Sequence, residues 1–244
     1  MPRVHPRIAL RNGVVLAGIL VVAATAPARA QGGVSKYAAE SWRKGKEAKD
    51  NRQWVECVEH FTEVVEIDSE YLEAYLNLGL CQSELRQWAG AVKTYQKAIT
   101  LNPPDSVKAD VLNRLAFAQA SAEQLDDALK TYEQLIELGP GDKNAMVGYA
   151  FTLGNKGRVV DAVMAYERAL EIDPSDLGII KTLGEICQRN SMVEQAIAMY
   201  ERWIQLEPES PDPYRYLGFL LYQTESCARG AEVYEKAIAL DSTP

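Results

Sequence analysis

Between residues 73 and 101 the apolar positions fall at intervals of three and four. In "EAYLNLGLCQSEL" (73–85), Tyr75, Leu78, Gly79 and Leu80 lie at helical spacing. In "QWAGAVKTYQKAITL" (87–101), Ala91, Tyr95 and Ala98 share one face, at i, i+4 and i+7. The pattern predicts two helices, the second stopped by Asn102 and Pro103. Two helices packed closely need a small residue where their backbones approach, and Gly79 and Ala91 are placed to supply it. The aromatic Tyr95 would fill the wider gap to whatever packs next.

The same letters return. "AVKTYQKAITLNP" (91–103) is followed seventy-one residues later by "AVMAYERALEIDP" (162–174). With Tyr95 as slot 24 of a 34-residue unit, that slot holds Phe61, Tyr95, Tyr132, Tyr166, Tyr200 and Tyr234, at spacings of 34, 37, 34, 34 and 34. Four slots earlier stand Cys57, Ala91, Ala128, Ala162, Ala196 and Gly230. Sixteen before the aromatic stand Gly45, Gly79, Ala116, Ala150, Gly184 and Gly218, and eight after it come Ser or Pro. Aromatics make up 8% of the chain, so six in register is no accident of composition. A single helix pair cannot bury its own apolar face, so the units must stack.

Period, small slots, aromatic and terminal proline together resemble the tetratricopeptide repeat. The fourth copy reads "KNAMVGYAFTLGNKGRVVDAVMAYERALEIDPSD" (143–176). The resemblance implies an all-α, right-handed solenoid of about six helix-turn-helix units, over residues 38–71, 72–105, 109–142, 143–176, 177–210 and 211–244. The three extra residues near "PPDSVKAD" (103–110) lengthen either the turn or the first helix of copy 3. Copy 1 has Ser41 and Lys44 where copy 2 has Tyr75 and Leu78, which predicts poorer packing of its first helix. Copy 5 has Trp203 where Ala98 and Ala169 stand elsewhere, a side chain that must displace neighbours or reach a surface.

Composition adds a leader. Arg3, Arg7 and Arg11 precede the apolar run 13–24, and Ala28 and Ala30 follow it. This reads as a signal peptide over 1–30, cut before Gln31, with 31–37 a short lead-in. Twelve apolar residues fall short of the roughly 20 that a membrane-spanning helix needs. After cleavage no stable membrane insertion is expected, and the protein is expected in the periplasm or outside the cell. Removing 1–30 takes away four Arg and no acids, so the net charge falls from −8 to −12. That balance argues against nucleic acid. Together with the 34-residue step and terminal Pro, it also speaks against the pentatricopeptide RNA readers.

Catalytic groupings are not visible. His60 is the only histidine after residue 30, and it adjoins Phe61. No metal-ligand spacing, cofactor motif or phosphate loop appears, so the chain reads as non-enzymatic and cofactor-free. Acidic pairs such as Asp126 and Asp127 open second helices, where the helix dipole accounts for them. Cys57, Cys81, Cys187 and Cys227 allow three pairings. Cys57 and Cys227 read first as small hydrophobes; a bridge from Cys57 to Cys81 would join adjacent units.

The resemblance also implies that slots 2, 5, 6, 9, 12 and 13 of the first helices line a concave groove. They hold Trp42, Arg43, Lys46 and Lys49 in copy 1, then Asn77 and Leu80. Copy 3 gives Asn113, Arg114 and Phe117, and copy 4 gives Asn144, Phe151 and Asn155. Copy 5 gives Lys181, Glu185, Gln188 and Arg189, and copy 6 gives Arg215, Tyr216, Phe219 and Tyr222. Phe117, Phe151 and Phe219 share slot 9, where a folded core does not require an aromatic, and an exposed ring suggests a binding surface. Family members that grip chaperone tails use five carboxylate-binding positions. This chain matches at Asn77 and Arg114 and departs at Trp42, Lys46 and Asp110. The expectation is a scaffold for a protein or peptide partner. Alternatives are an adaptor that self-associates through copy 6, whose outer face around Tyr234 and Ile238 lacks the usual extra helix, or an accessory subunit of a cell-envelope enzyme.

Overall fold

The computed structural model describes residues 34–224 and 227–241; the leader expected over 1–30 lies outside the described residues. These residues form twelve helices, two to a unit, and no strand occurs among them. Copy 1 contributes α1 (Ala39–Asp50) and α2 (Trp54–Ile67), and copy 2 α3 (Leu72–Glu84) and α4 (Trp88–Thr100). Copy 3 contributes α5 (Asp105–Ser121) and α6 (Leu125–Leu138), and copy 4 α7 (Lys143–Asn155) and α8 (Val159–Ile172). Copies 5 and 6 supply α9 (Leu177–Arg189), α10 (Val193–Leu206), α11 (Pro211–Gln223) and α12 (Cys227–Asp241). Each helix packs on the next in chain order, which builds a helical repeat solenoid. The three extra residues go into the helix: α5 has 17 residues, against 13 in α3 and α7.

The small and aromatic slots form the core. Phe61, Tyr95, Tyr132, Tyr166 and Tyr200 are all buried, as are Cys57, Ala91, Ala128, Ala162 and Ala196 four residues before them. The glycine has a partner the spacing did not identify. A Cβ on Gly79 would stand 2.5 Å from Cε1 of Tyr95, so the glycine admits the ring of its own unit. In copy 3 this slot is Ala116, and Tyr132 instead occupies the space that a Cβ on Gly148 of copy 4 would need. The aromatic therefore packs within its unit or across to the next according to which neighbour lacks a side chain.

The turn inside each of the first five units repeats to the residue. Slot 15 is left-handed in Arg52, Arg86, Glu123, Gly157 and Ser191, with φ from 52° to 78° covering these and Asn102. The following amide donates back five residues, as Gln53 to Ala48 at 2.8 Å, Gln87 to Gln82 at 2.8 Å and Met192 to Cys187 at 2.9 Å. This closes the first helix by satisfying carbonyls that its last turn would leave orphaned. Thr94 donates to Gln82 and Thr131 to Gln119, each at 2.7 Å, locking first to second helix in copies 2 and 3.

The two ends differ. The first helix α1 buries only Gly45 and Ala48, in keeping with its polar slots. Cys57 and Cys81, both fully buried, are joined by a disulfide with Cα atoms 6.1 Å apart. Cys57 is thus more than a small hydrophobe: it ties α2 of copy 1 to α3 of copy 2. Cys187 is free and buried, and Cys227 free and exposed.

Candidate functional site

The first helices carry the expected groove positions, and they lie side by side: Lys49 of α1 donates to Asn77 of α3 at 2.8 Å, and α5 touches α7 across α6. Ring side chains project from this row. Phe117 is 56% exposed, Phe151 57%, Tyr216 39%, Phe219 44% and Tyr222 63%. A helix that buried every ring would remove apolar area from water worth about 25 cal/mol per Å². These five forgo much of that gain. The ring of Phe117 meets Trp88 edge-on at 5.7 Å, so part of it is already covered.

The polar members behave differently from one another. Asn77 is 9% exposed; its amide donates to the Glu73 carbonyl at 2.8 Å while its oxygen accepts from Lys49. Arg114 donates from Nε to Asp110 at 2.8 Å and interacts with Tyr95 of the preceding unit. Burial opposes the charge on Arg114, and the hydrogen bonds and charges of Asp110 and Tyr95 together more than restore it. The two residues that matched the chaperone-tail pattern are therefore committed to holding units 1 to 3 together. Lys181 pairs with Glu207 at 3.5 Å and Arg189 with Glu185 at 3.8 Å. Arg215 is bound by both Asp212 and Asp241. Asn113 is half-buried and Asn155 exposed.

Two hollows bring the candidates together. Trp42, Arg43 and Lys46 border one of about 420 Å³ on α1. The Trp42 ring packs edge-on against Phe61 at 5.3 Å and Tyr71 at 5.0 Å, which anchors that wall. Arg43 is held by Glu47 at 3.2 Å, while Lys46 stands 6.0 Å from the Trp42 ring centre. The larger hollow, about 650 Å³, lies at the carboxy-terminal end between α11 and α12. Gln188, Arg215, Tyr216, Phe219 and Tyr234 line it. Asn77, Asn113, Arg114, Phe117, Phe151, Asn155, Lys181, Arg189 and Tyr222 line neither.

One support of the larger hollow, beneath its lining, was not legible in advance. Trp203 is buried, with Nε1 donating to Glu207 at 2.8 Å. It does not reach the surface; it underlies Tyr216, at 5.7 Å between centres and 33°. Tyr216 also stacks on Tyr200, 5.4 Å away at 24°, and Lys181 stands 4.2 Å over Trp203. The oversized letter at a small slot was the signal, but nothing in the sequence said which ring it would support.

No group of three or more His, Cys, Asp or Glu placed to hold a metal is found among the described residues. No helix among them is long and apolar enough to cross a membrane. His60 is half-buried with Nδ1 3.8 Å from Glu63. Burial pushes the Cys187 thiol up to about 11 and the Tyr132 hydroxyl up to about 12. Both stay protonated at neutral pH.

Family models of the tetratricopeptide repeat match residues 72–105 and 114–176. Over those residues the chain is built of tetratricopeptide repeats. No curated protein sequence matches it. Among solved structures it is similar to the C-terminal part of a tetratricopeptide repeat-containing protein from Cytophaga hutchinsonii. That pair has 16% identity and a TM-score of 0.71, covering 82% of this chain and 78% of the other. A repeat protein from Parabacteroides merdae is similar at 15% identity and TM-score 0.64, over 86% of this chain and 82% of its own. YrrB, described as a repeat protein with an unusual peptide-binding site, matches at 20% identity and TM-score 0.57, over 74% and 91%. At such identities the likeness establishes the fold. The tetratricopeptide array supports a protein–protein interaction scaffold as the general role.

Proposed function

We propose that the array binds an extended segment of a partner protein along its first-helix face, outside the cytoplasm. The observation that carries this reading is the contrast between the two helix sets. The second-helix aromatics at slot 24 are buried in the first five copies, while five first-helix rings stand between 39% and 63% exposed. Rings held on a rigid scaffold and open to solvent are the groups that dominate binding energy at protein interfaces. The similarity to YrrB, a repeat protein with an unusual peptide-binding site, supports such a role for this fold. The leader pattern over 1–30 and the Cys57–Cys81 bridge support export, because disulfides persist in oxidising compartments. The role is non-enzymatic.

Photo-crosslinking residues placed singly at Phe117, at Phe151 and at Met164, a second-helix residue 58% exposed, test the reading in the native cell. The same partner should be trapped from Phe151 and Phe117 and not from Met164. Equal trapping from both faces, or none from Phe151, overturns it. Amino-terminal sequencing of the extracytoplasmic fraction should begin at Gln31; an intact amino terminus in the cytosol removes the export part.

A second reading, self-association through the last unit, is favoured by the 650 Å³ hollow that opens onto Tyr234 and Ala237 of α12. Light scattering at micromolar concentration decides it: a monomer rules it out.

A further inference from the structure

The aromatic end of the first-helix row has a chemistry of its own, and it narrows the partner. Tyr216, Phe219 and Tyr222 lie three residues apart on α11, all partly open to solvent. Tyr216 cannot fold away, because Tyr200 stacks on it and Trp203 underlies it. Trp203 is in turn fixed by Glu207 and by the Lys181 ammonium. The result is a preformed ring platform, which spares a ligand the entropy of ordering the site.

The charges around the platform are already satisfied within the chain. Arg215 is matched by Asp212 and Asp241, Lys181 by Glu207 and Arg189 by Glu185. An acidic segment gains little here, since it would have to displace an intramolecular carboxylate. What the site retains is donors. The Gln188 oxygen accepts from the Tyr200 hydroxyl at 2.5 Å, which leaves its NH₂ group available to donate. The Tyr216 and Tyr222 hydroxyls add two more. The matching ligand is uncharged, offers carbonyl oxygens without needing amide acceptors in return, and presents compact apolar rings to aromatic faces.

A proline-rich segment has those properties. Its carbonyls make no internal hydrogen bonds, its prolines carry no N–H, and its polyproline II backbone is stiff before binding. Aromatic-lined grooves take such segments in other folds for the same reasons. We propose that the α11 platform, with Gln188, docks an uncharged proline-rich segment of the partner protein. This rests on the groove reading above and names the class of segment at its carboxy-terminal end.

The test uses the mature full-length chain and a fluorescently labelled deca-proline peptide, with a Gly-Ser peptide of equal length and a deca-glutamate peptide as comparators. Anisotropy should show saturable deca-proline binding that persists in about 0.5 M salt, where surface charge is screened. Phe219→Ala and Tyr222→Ala should each weaken it roughly tenfold, the scale of a truncated aromatic contact, with helicity unchanged. Tyr222 is the more exposed of the two, so its truncation leaves the core intact and isolates the surface effect. Absence of saturable deca-proline binding overturns the proposal, as does equal binding of the Gly-Ser peptide, preference for deca-glutamate, or indifference to both variants. If Phe151 still traps a partner in the cell while deca-proline fails, the groove reading stands and only this assignment falls.

Discussion

The first unit buries only two small residues of α1 and is tied to the second by a covalent bond between Cys57 and Cys81. The fifth and sixth units share the stack of Tyr200, Tyr216 and Trp203, and Cys187 there stays free. Both ends face the same problem: among the described residues, the first and the last unit each pack on one neighbouring unit only. Copy 1, with Ser41 and Lys44 at two first-helix slots, lacks the apolar area to close the gap and is held by a cross-link. Copy 6 has aromatic area in excess and spends part of it on an open surface. A cross-link restrains the chain without offering a surface, whereas an aromatic stack does both. This is why the rings at the far end are the better candidates for ligand contact.

The largest effect should come from removing the stack. Trp203→Ala should cost about 3–5 kcal/mol, the usual range for a buried large aromatic, and hydrogen exchange should speed up in 177–223 before it does in 39–84. A loss below about 1 kcal/mol would mean that the carboxy-terminal end does not depend on the stack. Next comes the cross-link. Replacing Cys57 and Cys81 with Ala should cost about 3 kcal/mol, by the loop entropy of a closure of this size, with faster exchange confined to the first two units. Thiol counting sharpens the point. The native protein should alkylate once, at Cys227; unfolding without reductant should expose Cys187 as well, and reduction should bring the total to four.

Between the ends, Lys143 binds Asp173 at 2.8 Å and Asp176 at 2.6 Å, anchoring the turn after α8. The hydrogen bond from Lys143 holds both carboxyls below their ordinary range. A depressed carboxyl stabilises the fold above its unfolded value, about 4, and that contribution is lost as pH falls through the lowered value. The melting temperature should therefore drop on acidification below pH 4, and Lys143→Met should flatten that drop. The smallest effect is assigned to Arg189→Ala. Its exposed pair with Glu185 should be worth under about 0.5 kcal/mol.

Much of the fold was written in the sequence because small and aromatic slots answer to packing alone. The predicted helix over 73–85 is α3 within a residue at each end, and the predicted stop at Asn102 follows α4 by two. The polar groups were harder to read. Asn77 and Arg114 occupy slots that could face a ligand, but a slot number does not say which neighbour a polar atom meets, and here the neighbours are Lys49, Asp110 and Tyr95. The cysteine pairing was open because three connectivities fit the same letters. The lengthening of α5 was open because Pro103 and Pro104 permit either a longer turn or an early helix start. The aromatic letters of the site were legible, while the support of Tyr216 by Trp203 depends on how α10 packs against α11.

The turn at slot 15 has a consequence for how far this protein can change. Arg52, Arg86, Glu123 and Ser191 hold a left-handed conformation that Gly157 adopts without strain in copy 4. Glycine at each of the four should add about 0.5–1 kcal/mol, and because they sit in separate units the gains should sum in thermal unfolding. None of the four is a ring or a groove residue. A chain relieved at those turns would tolerate larger alterations on its first helices, so new ligand preferences could be selected there without loss of the array.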